Sequence, residues 1–279
     1  MSAVDRMHLP VDLHLHSTAS DGALTPAALI ERAAAAGLAA VALTDHDTMA
    51  GVEEAHEAGR RLGLEVIRGV EISVFDEKQE IHLLGYDPLY PEKLEAVLEA
   101  MRRDRYRRIG KMAALLRRQG IPLSEEEIIA EAAPAAPGRL HLARLLVKRG
   151  YSAGIGEAFS AYLKRGRPAY VPRRTLEPAP AIAALHRAGA VPVVAHPGVE
   201  GRARLRELVE LGLRGVEVYH PDHPPELVRY YRHQAARMNL LITGGSDFHS
   251  DRGYQRSRLG AITVPYRCLA ALKKAPRGF

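Results

Sequence analysis

Asp12-x-His14-x-His16 sets a carboxylate and two imidazoles two residues apart. In an extended chain side chains alternate faces, so the three share one face and both imidazoles can reach a single ion. Asp21 follows in the turn Ser20-Asp21-Gly22. His46 is flanked by Asp45 and Asp47, Glu71 lies in Gly69-Val70-Glu71-Ile72-Ser73, and His82 lies in a short apolar run. His196 precedes Pro197, and Asp247 and His249 follow a Gly-Gly turn. Nitrogen and oxygen donors without sulfur suit Zn, Mn or Fe, and a carboxylate can bridge two ions. Any one of these residues would pass as an ordinary polar side chain. Nine of them recurring at the ends of predicted strands would not.

The elements that must position them read as βα units. Pro10–His16 alternates like a strand, and Thr25-Pro26 caps an Ala-rich helix that stops at Gly37. Strand Ala39–Thr44, a helix capped by Thr48, strand Leu64–Val74 and strand Glu80–Gly85 follow. Residues 92–166 carry only helical periodicity. The alternation then resumes with strands at Val191–Ala195, Gly215–Tyr219, Leu240–Thr243 and Leu259–Val264, with helices between. This predicts an α/β fold, one barrel over residues 1–91 and 167–279 interrupted by a helical insertion at 92–166. In such barrels the strand C-termini build the active site.

Charge singles out the insertion. Residues 101–174 hold 17 Lys and Arg against 6 Asp and Glu, within a chain whose formal net charge is +6. A basic segment beside a metal site predicts an anionic substrate. Arg139 and His141 are the first candidates for gripping a phosphate, since planar guanidinium binds phosphate bidentately. Arg165, Arg167 and His220 are further candidates. The run Arg102–Arg108 reads as a solvated helix face, and His56, His186 and His233 as helix-surface histidines.

Taken together, Asp12-Leu13-His14-Leu15-His16-Ser17, Ser20-Asp21-Gly22, Thr44-Asp45-His46-Asp47, Gly69-Val70-Glu71-Ile72-Ser73, His196-Pro197 and Ser246-Asp247-Phe248-His249 resemble the polymerase-and-histidinol-phosphatase (PHP) family. The segments Gly138–Arg144 and Arg165–Pro172 resemble its branch of 3′,5′-nucleoside bisphosphate phosphatases and 5′-to-3′ exoribonucleases. The resemblance implies a distorted seven-stranded (β/α) barrel with two or three divalent ions, Mn ahead of Zn or Fe. It implies one ion on His14, His16, Glu71 and Asp247, and a second on Glu71, His82 and His196. A third would sit on Asp21, His46 and His249, with Asp12, Asp45 and Asp47 orienting imidazoles. Asp21, His46, Glu71 and His249 would then carry the catalysis. Closely spaced ions deprotonate a water near neutral pH and clamp phosphate oxygens.

The expected substrates are nucleoside bisphosphates or short 5′-phosphorylated RNA. The competing readings are a histidinol phosphatase and an inert structural or RNA-binding module. With 4 Phe and no Trp, stacking platforms for RNA are scarce. The single cysteine, Cys268, excludes an intrachain disulfide and a cysteine zinc site. No apolar run nears the roughly 20 residues of a membrane span, and the N-terminus lacks an export signal. A cytoplasmic enzyme with no stable protein partner is the expectation.

Overall fold

The computed structural model describes residues 3–75, 80–172, 176–250 and 258–278. Arg173 and Arg174, counted in the basic segment, lie outside the described residues. Helix α1 (Ala3–Arg6) leads into strand β1 (Pro10–Leu15), buried from Val11 onward. Helix α2 (Pro26–Ala35) starts as expected, with Thr25 Oγ1 accepting from Ala28 N at 3.2 Å and Pro26 in the first turn. Strand β2 (Ala40–Leu43), helix α3 (Val52–Leu62) and strand β3 (Glu65–Phe75) continue the parallel pattern. Helix α3 starts after Gly51 rather than at Thr48, whose hydroxyl accepts from Ala50 N inside the preceding turn.

Strand β4 (Glu80–Tyr86) breaks the expected alternation. It runs antiparallel to β3, with Ser73 opposite His82, and antiparallel to β5 (Val191–Val194). The chain between Phe75 and Glu80 is too short for the crossover of a dozen or more residues that parallel strands need. The reversal puts the start of β4, rather than its end, at the rim where β1, β2 and β3 finish.

The segment after β4 therefore departs from the far end of the barrel. A 3-10 turn (Pro91–Leu94) feeds helix α4 (Glu95–Arg118), whose 24 residues span about 36 Å. That length carries it back to the rim. Helices α5 (Glu125–Ala132), α6 (Arg139–Lys148) and α7 (Ile155–Ala158) follow, then a wide turn at Phe159–Leu163. These helices bury an apolar cluster of their own, including Met112, Leu116, Ile128, Leu142 and Leu146. The expectation of an all-helical stretch over 92–166 agrees with these elements.

Helix α8 (Pro178–Arg187), β5, α9 (Leu205–Glu210), β6 (Gly215–Tyr219), α10 (Pro225–Met238) and β7 (Leu241–Gly244) restore the parallel pattern. Strand order is β7-β6-β5-β4-β3-β2-β1, followed by a short last strand, β8 (Val264–Pro265). A bridge between Leu15 and Phe248, with His16 N donating to Phe248 O at 3.1 Å, draws the two ends of the seven-strand run together. Strand β8 (Val264–Pro265) adds antiparallel to Pro10 and Val11, so the sheet has eight strands rather than seven. The strand expected at Leu259–Val264 shrinks to its end, because residues 259–263 form turns in which Gly260 N donates to Asp12 Oδ2. Helix α11 (Tyr266–Lys274) packs Leu269 and Leu272 into the cluster holding Val11, Leu13 and Val193. Among the described residues no helix is long and apolar enough to cross a membrane.

Candidate metal centre and active site

His14 and His16 stand side by side from β1, fully buried, and the other predicted ligands converge on them from neighbouring strand ends. His16 Nε2 lies 3.2 Å from Glu71 Oε2 and 3.0 Å from Asp247 Oδ1. His14 Nε2 lies 3.3 and 3.4 Å from the same two oxygens. His249 Nε2 faces Asp21 Oδ1 at 3.3 Å, and its Nδ1 donates to the Asp247 carbonyl at 2.9 Å. His46 Nδ1 is 3.0 Å from Glu71 Oε2. Asp21, His16, His46 and His249 form one group able to hold an ion, and His14, His16, Glu71 and Asp247 another.

Glu71 divides its two oxygens between two histidine sets. Oε2 faces His14, His16 and His46, while Oε1 meets His82 Nδ1 at 2.8 Å and His196 Nε2 at 3.0 Å. That arrangement is what a bridging carboxylate requires. His46 also groups with Glu71 and His82, so it stands between the two ends of the cluster. His82 reaches the rim because β4 is reversed.

Do these residues fit metal ions? Among the described residues, His14 Nε2, His16 Nε2, Asp21 Oδ1, His46 Nδ1 and Glu71 Oε2 are buried with no hydrogen-bond partner. Buried polar atoms are normally satisfied, so a convergent set of unsatisfied ones calls for a ligand. Donor atoms 2.0–2.1 Å from a tetrahedral ion sit roughly 3.3 Å apart. The spacings here have that size. The residues fit.

The braces behind these ligands differ from the expected ones. Among the described residues Asp12 takes no imidazole. It accepts from Ser246 N (2.9 Å), Ser246 Oγ (2.6 Å) and Gly260 N (3.1 Å), tying the Asp247 loop to β1. A Cβ at Gly245 would meet His14 and Asp12, so only glycine admits that approach. Asp45 accepts from Ser17 N, Ser17 Oγ and Ser20 Oγ, fixing the turn that carries Asp21. Asp47 accepts from Ser73 N at 3.1 Å. The carboxylate behind His14 is Glu217, with Oε1 3.0 Å from Nδ1; its Oε2 accepts from His196 N at 2.7 Å. Sequence reading missed Glu217, although an acidic residue inside the buried strand Gly215–Tyr219 was the available signal. Asp47, His196 and Asp247 all hold positive φ, a conformation costing non-glycine residues on the order of 1–3 kcal/mol that the surrounding contacts must offset.

Burial disfavours ionised Asp21, Glu71 and Asp247, yet the imidazoles around them hold all three well below the usual carboxylate range. Burial also disfavours imidazolium, but Asp247 and Glu71 outweigh it and push His16 up to about 10. Glu71 and Glu80 do the same for His82, up to about 9. Burial drives His46 down to about 3. Protons and metal ions therefore compete for the same ring nitrogens.

The helical segment closes over this cluster. The reading of Arg102–Arg108 as solvated holds for Arg103 and Arg107 but fails for Arg105 and Arg108, both buried. Helical period turns Arg105 inward, where its Nε donates to Asp47 Oδ2 at 2.7 Å, and Arg108 Nε donates to Val171 O. Arg139 pairs with Glu80 at 2.9 Å. His141 is buried, and its Nδ1 accepts from Gly138 N at 3.0 Å. Arg144, which sequence reading gave no role, donates to the Asp21 carbonyl at 2.8 Å. Arg165 and Arg167 are exposed on the turn after Leu163. His220 is buried beside the cluster, its Nδ1 accepting from Asp222 N and its Nε2 3.4 Å from Asp247 Oδ2. His186 is also buried, with Nε2 donating to Gly212 O, whereas His233 is exposed as expected and His56 half-buried.

A nearly closed α/β barrel with imidazoles and carboxylates gathered at one rim, one carboxylate shared between two histidine sets, defines a metal-dependent hydrolase. The PHP domain profile matches residues 12–148. A 5′-3′ exoribonuclease from Haemophilus influenzae is 36% identical over 251 residues, covering 87% of this chain and 91% of the relative. A 3′,5′-nucleoside bisphosphate phosphatase from Chromobacterium violaceum is 36% identical over 249 residues, covering 86% and 87%. Among solved structures, a Bifidobacterium adolescentis chain assigned as a metal-dependent phosphoesterase matches with TM-score 0.87 at 33% identity, over 94% of each chain. The chain belongs to the PHP family and is a metal-dependent phosphoesterase, a hydrolase of phosphate ester bonds.

Proposed function

We propose that the chain removes the 3′ phosphate of nucleoside 3′,5′-bisphosphates and, by the same chemistry, releases 5′-mononucleotides from short 5′-phosphorylated RNA. The observation that carries this reading is the placement of Arg144 and His141 on α6, separate from the metal ligands. Arg144 is anchored on the Asp21 carbonyl, and no carboxylate pairs with it among the described residues. One turn earlier, burial lowers His141 to about 4, so the ring is neutral at pH 7. Its Nδ1 accepts from Gly138, which leaves Nε2 as an N–H donor with no protein partner among the described residues. A guanidinium and a fixed N–H donor beside the cluster suit a second phosphate, which a simple monoester lacks. The exoribonuclease and the bisphosphate phosphatase among the relatives act on substrates of this kind by name.

In this reading residues 1–91 and 167–279 are the catalytic barrel and 92–166 the substrate-gripping insertion. His14, His16, Glu71 and Asp247 hold one ion, Glu71, His82 and His196 a second, and Asp21, His46 and His249 a third. Divalent ions there polarise the phosphate and lower the pKa of a water. Arg144 and His141 hold the 5′ phosphate and so fix the 3′ phosphorus over the cluster. Glu217 keeps the His14 proton on Nδ1, which frees Nε2 for a ligand bond. The water oxygen bonds to phosphorus, the bond from phosphorus to the 3′ oxygen breaks, and that oxygen leaves with a proton.

The test compares Mn-loaded protein on adenosine 3′,5′-bisphosphate, a short 5′-phosphorylated RNA and histidinol phosphate. The first two are expected to turn over and the third to lag far behind. Arg144→Ala is expected to raise KM for the bisphosphate about ten- to hundredfold, the worth of a charged hydrogen bond. Failure to hydrolyse either nucleotide substrate sinks the substrate reading and leaves the metal centre standing.

A further inference from the structure

A cleft of about 520 Å³ opens beside His82 and His196, while Arg144 is anchored on the Asp21 carbonyl. One wall is Glu80–His82 of β4. The other is the loop from His196 to Gly201, backed by Leu208 of α9. Its volume falls within the roughly 300–1,000 Å³ of small-ligand pockets.

The loop wall is rigidly built. Gly198 N donates to His223 Nε2 at 3.1 Å, and the Tyr231 hydroxyl donates to the Gly198 carbonyl at 2.5 Å. His223 is itself fixed, donating from Nδ1 to Val218 O at 2.9 Å. A Cβ at Gly201 would collide with Pro197, so the turn is shaped around the absence of a side chain. Ile81, Val194, Pro197 and Leu208 give the walls apolar faces. Val199 stands at the mouth, 64% exposed. Glu80, the charged group on the β4 wall, is paired with Arg139.

Helix α6 touches the site at two points. Its first residue, Arg139, holds Glu80 at the cleft, and Arg144 holds the Asp21 carbonyl at the other end. Glu71 spans the middle. A nucleoside bisphosphate gripped at Arg144 ends at the phosphate over the cluster. An RNA gripped the same way continues past that phosphate, towards His82 and His196.

We propose that the cleft receives the second nucleoside of an RNA substrate, the one beyond the phosphate being cleaved. The proposal rests on the substrate reading above. The cleft shares two of the cluster's own histidines, so a nucleoside seated there is still joined to the reacting phosphate. The apolar side chains in its walls suit the faces of a base, Glu80, Glu200 and Arg204 supply its charged edges, and its volume is that of a small-ligand pocket. The same protein then serves two substrate lengths: the bisphosphate leaves the cleft unused, and the oligonucleotide fills it.

The test uses two exposed positions at the mouth, Val199→Asp and Glu200→Lys, in metal-loaded full-length protein whose folding is checked by melting temperature. The quantity read is kcat/KM for a 5′-phosphorylated diadenylate divided by kcat/KM for adenosine 3′,5′-bisphosphate. A charge placed where the downstream strand passes is expected to lower this ratio about fivefold for Val199→Asp and to raise it for Glu200→Lys. A ratio that stays within twofold of the parent in both variants overturns the proposal. So does an equal fall on both substrates, which assigns the cleft to the first nucleoside. If the parent protein hydrolyses the bisphosphate but not the diadenylate, the cleft proposal falls and the phosphatase reading survives. If it hydrolyses neither, both fall.

Discussion

At the scale of single residues, Glu71 is the group the site can least spare. Its two oxygens face different histidine sets, so Glu71→Gln is expected to weaken both groups that could hold an ion while keeping the volume. Bound metal per chain, measured by elemental analysis, is expected to fall, and kcat by a factor on the order of 10³ or more. Glu217 acts one step back. Loss of a carboxylate behind a ligating histidine typically costs 10- to 100-fold in metal affinity or activity, and Glu217→Gln is expected in that range by metal titration. Protonation gives a further prediction with a defined sign. His16 at about 10 and His82 at about 9 lie above the ordinary imidazole value. Their protons therefore stabilise the fold fully below about pH 6.5, and that contribution is lost as pH rises towards 9–10. In protein stripped by chelator, the melting temperature is expected to fall between pH 7 and 10. Mn should reduce the fall by giving the carboxylates another cation. A stripped protein that grows more stable across that window contradicts the assignment.

Helix α4 shows at the scale of elements how the barrel and the helices around it act as one site. Its inward face delivers Arg105 to Asp47, a pair with side chains 7% and 0% exposed. Asp47 also accepts from Ser73 N of β3, two residues past Glu71. Removing one member of a buried pair leaves the other charge uncompensated, at a cost of about 3–5 kcal/mol. Arg105→Ala is expected to lose that much by chemical denaturation. Asp47→Asn, which keeps an acceptor, should lose less. Arg139 and Glu80 are partners with side chains 26% and 17% exposed, and Arg139→Ala is expected to cost less than Arg105→Ala.

For the whole molecule, the uneven charge should govern association. Residues 101–174 carry the basic excess, and α6 from that segment lies across the cluster. Raising salt from 50 to 300 mM is expected to raise KM for 5′-phosphorylated RNA more than for the bisphosphate, since a longer substrate meets more cations. kcat should change little. Equal salt dependence for the two substrates would mean that the basic segment does not extend the binding path.

Residue type and spacing alone brought the candidate ligands into view. Asp12-x-His14-x-His16 needs only the period of two of a strand, and His46, Asp247 and His249 need only their place at strand ends. Local chemistry likewise determined α2, through Thr25, Pro26 and Gly37, and the helical run after β4. The tertiary structure decided what depends on contacts between distant segments. The reversal of β4 brings His82 to the rim, although the short link after Phe75 was a signal for it. Glu217, 203 residues from His14, becomes its brace only when the barrel closes and leaves just β7 between β6 and β1. Arg105 and Arg144 look like their solvated neighbours in sequence, because which helical face turns inward is set by what the helix packs against. The histidines and carboxylates announce a metal centre by type and spacing; what holds them, and what would hold the substrate, is fixed by packing.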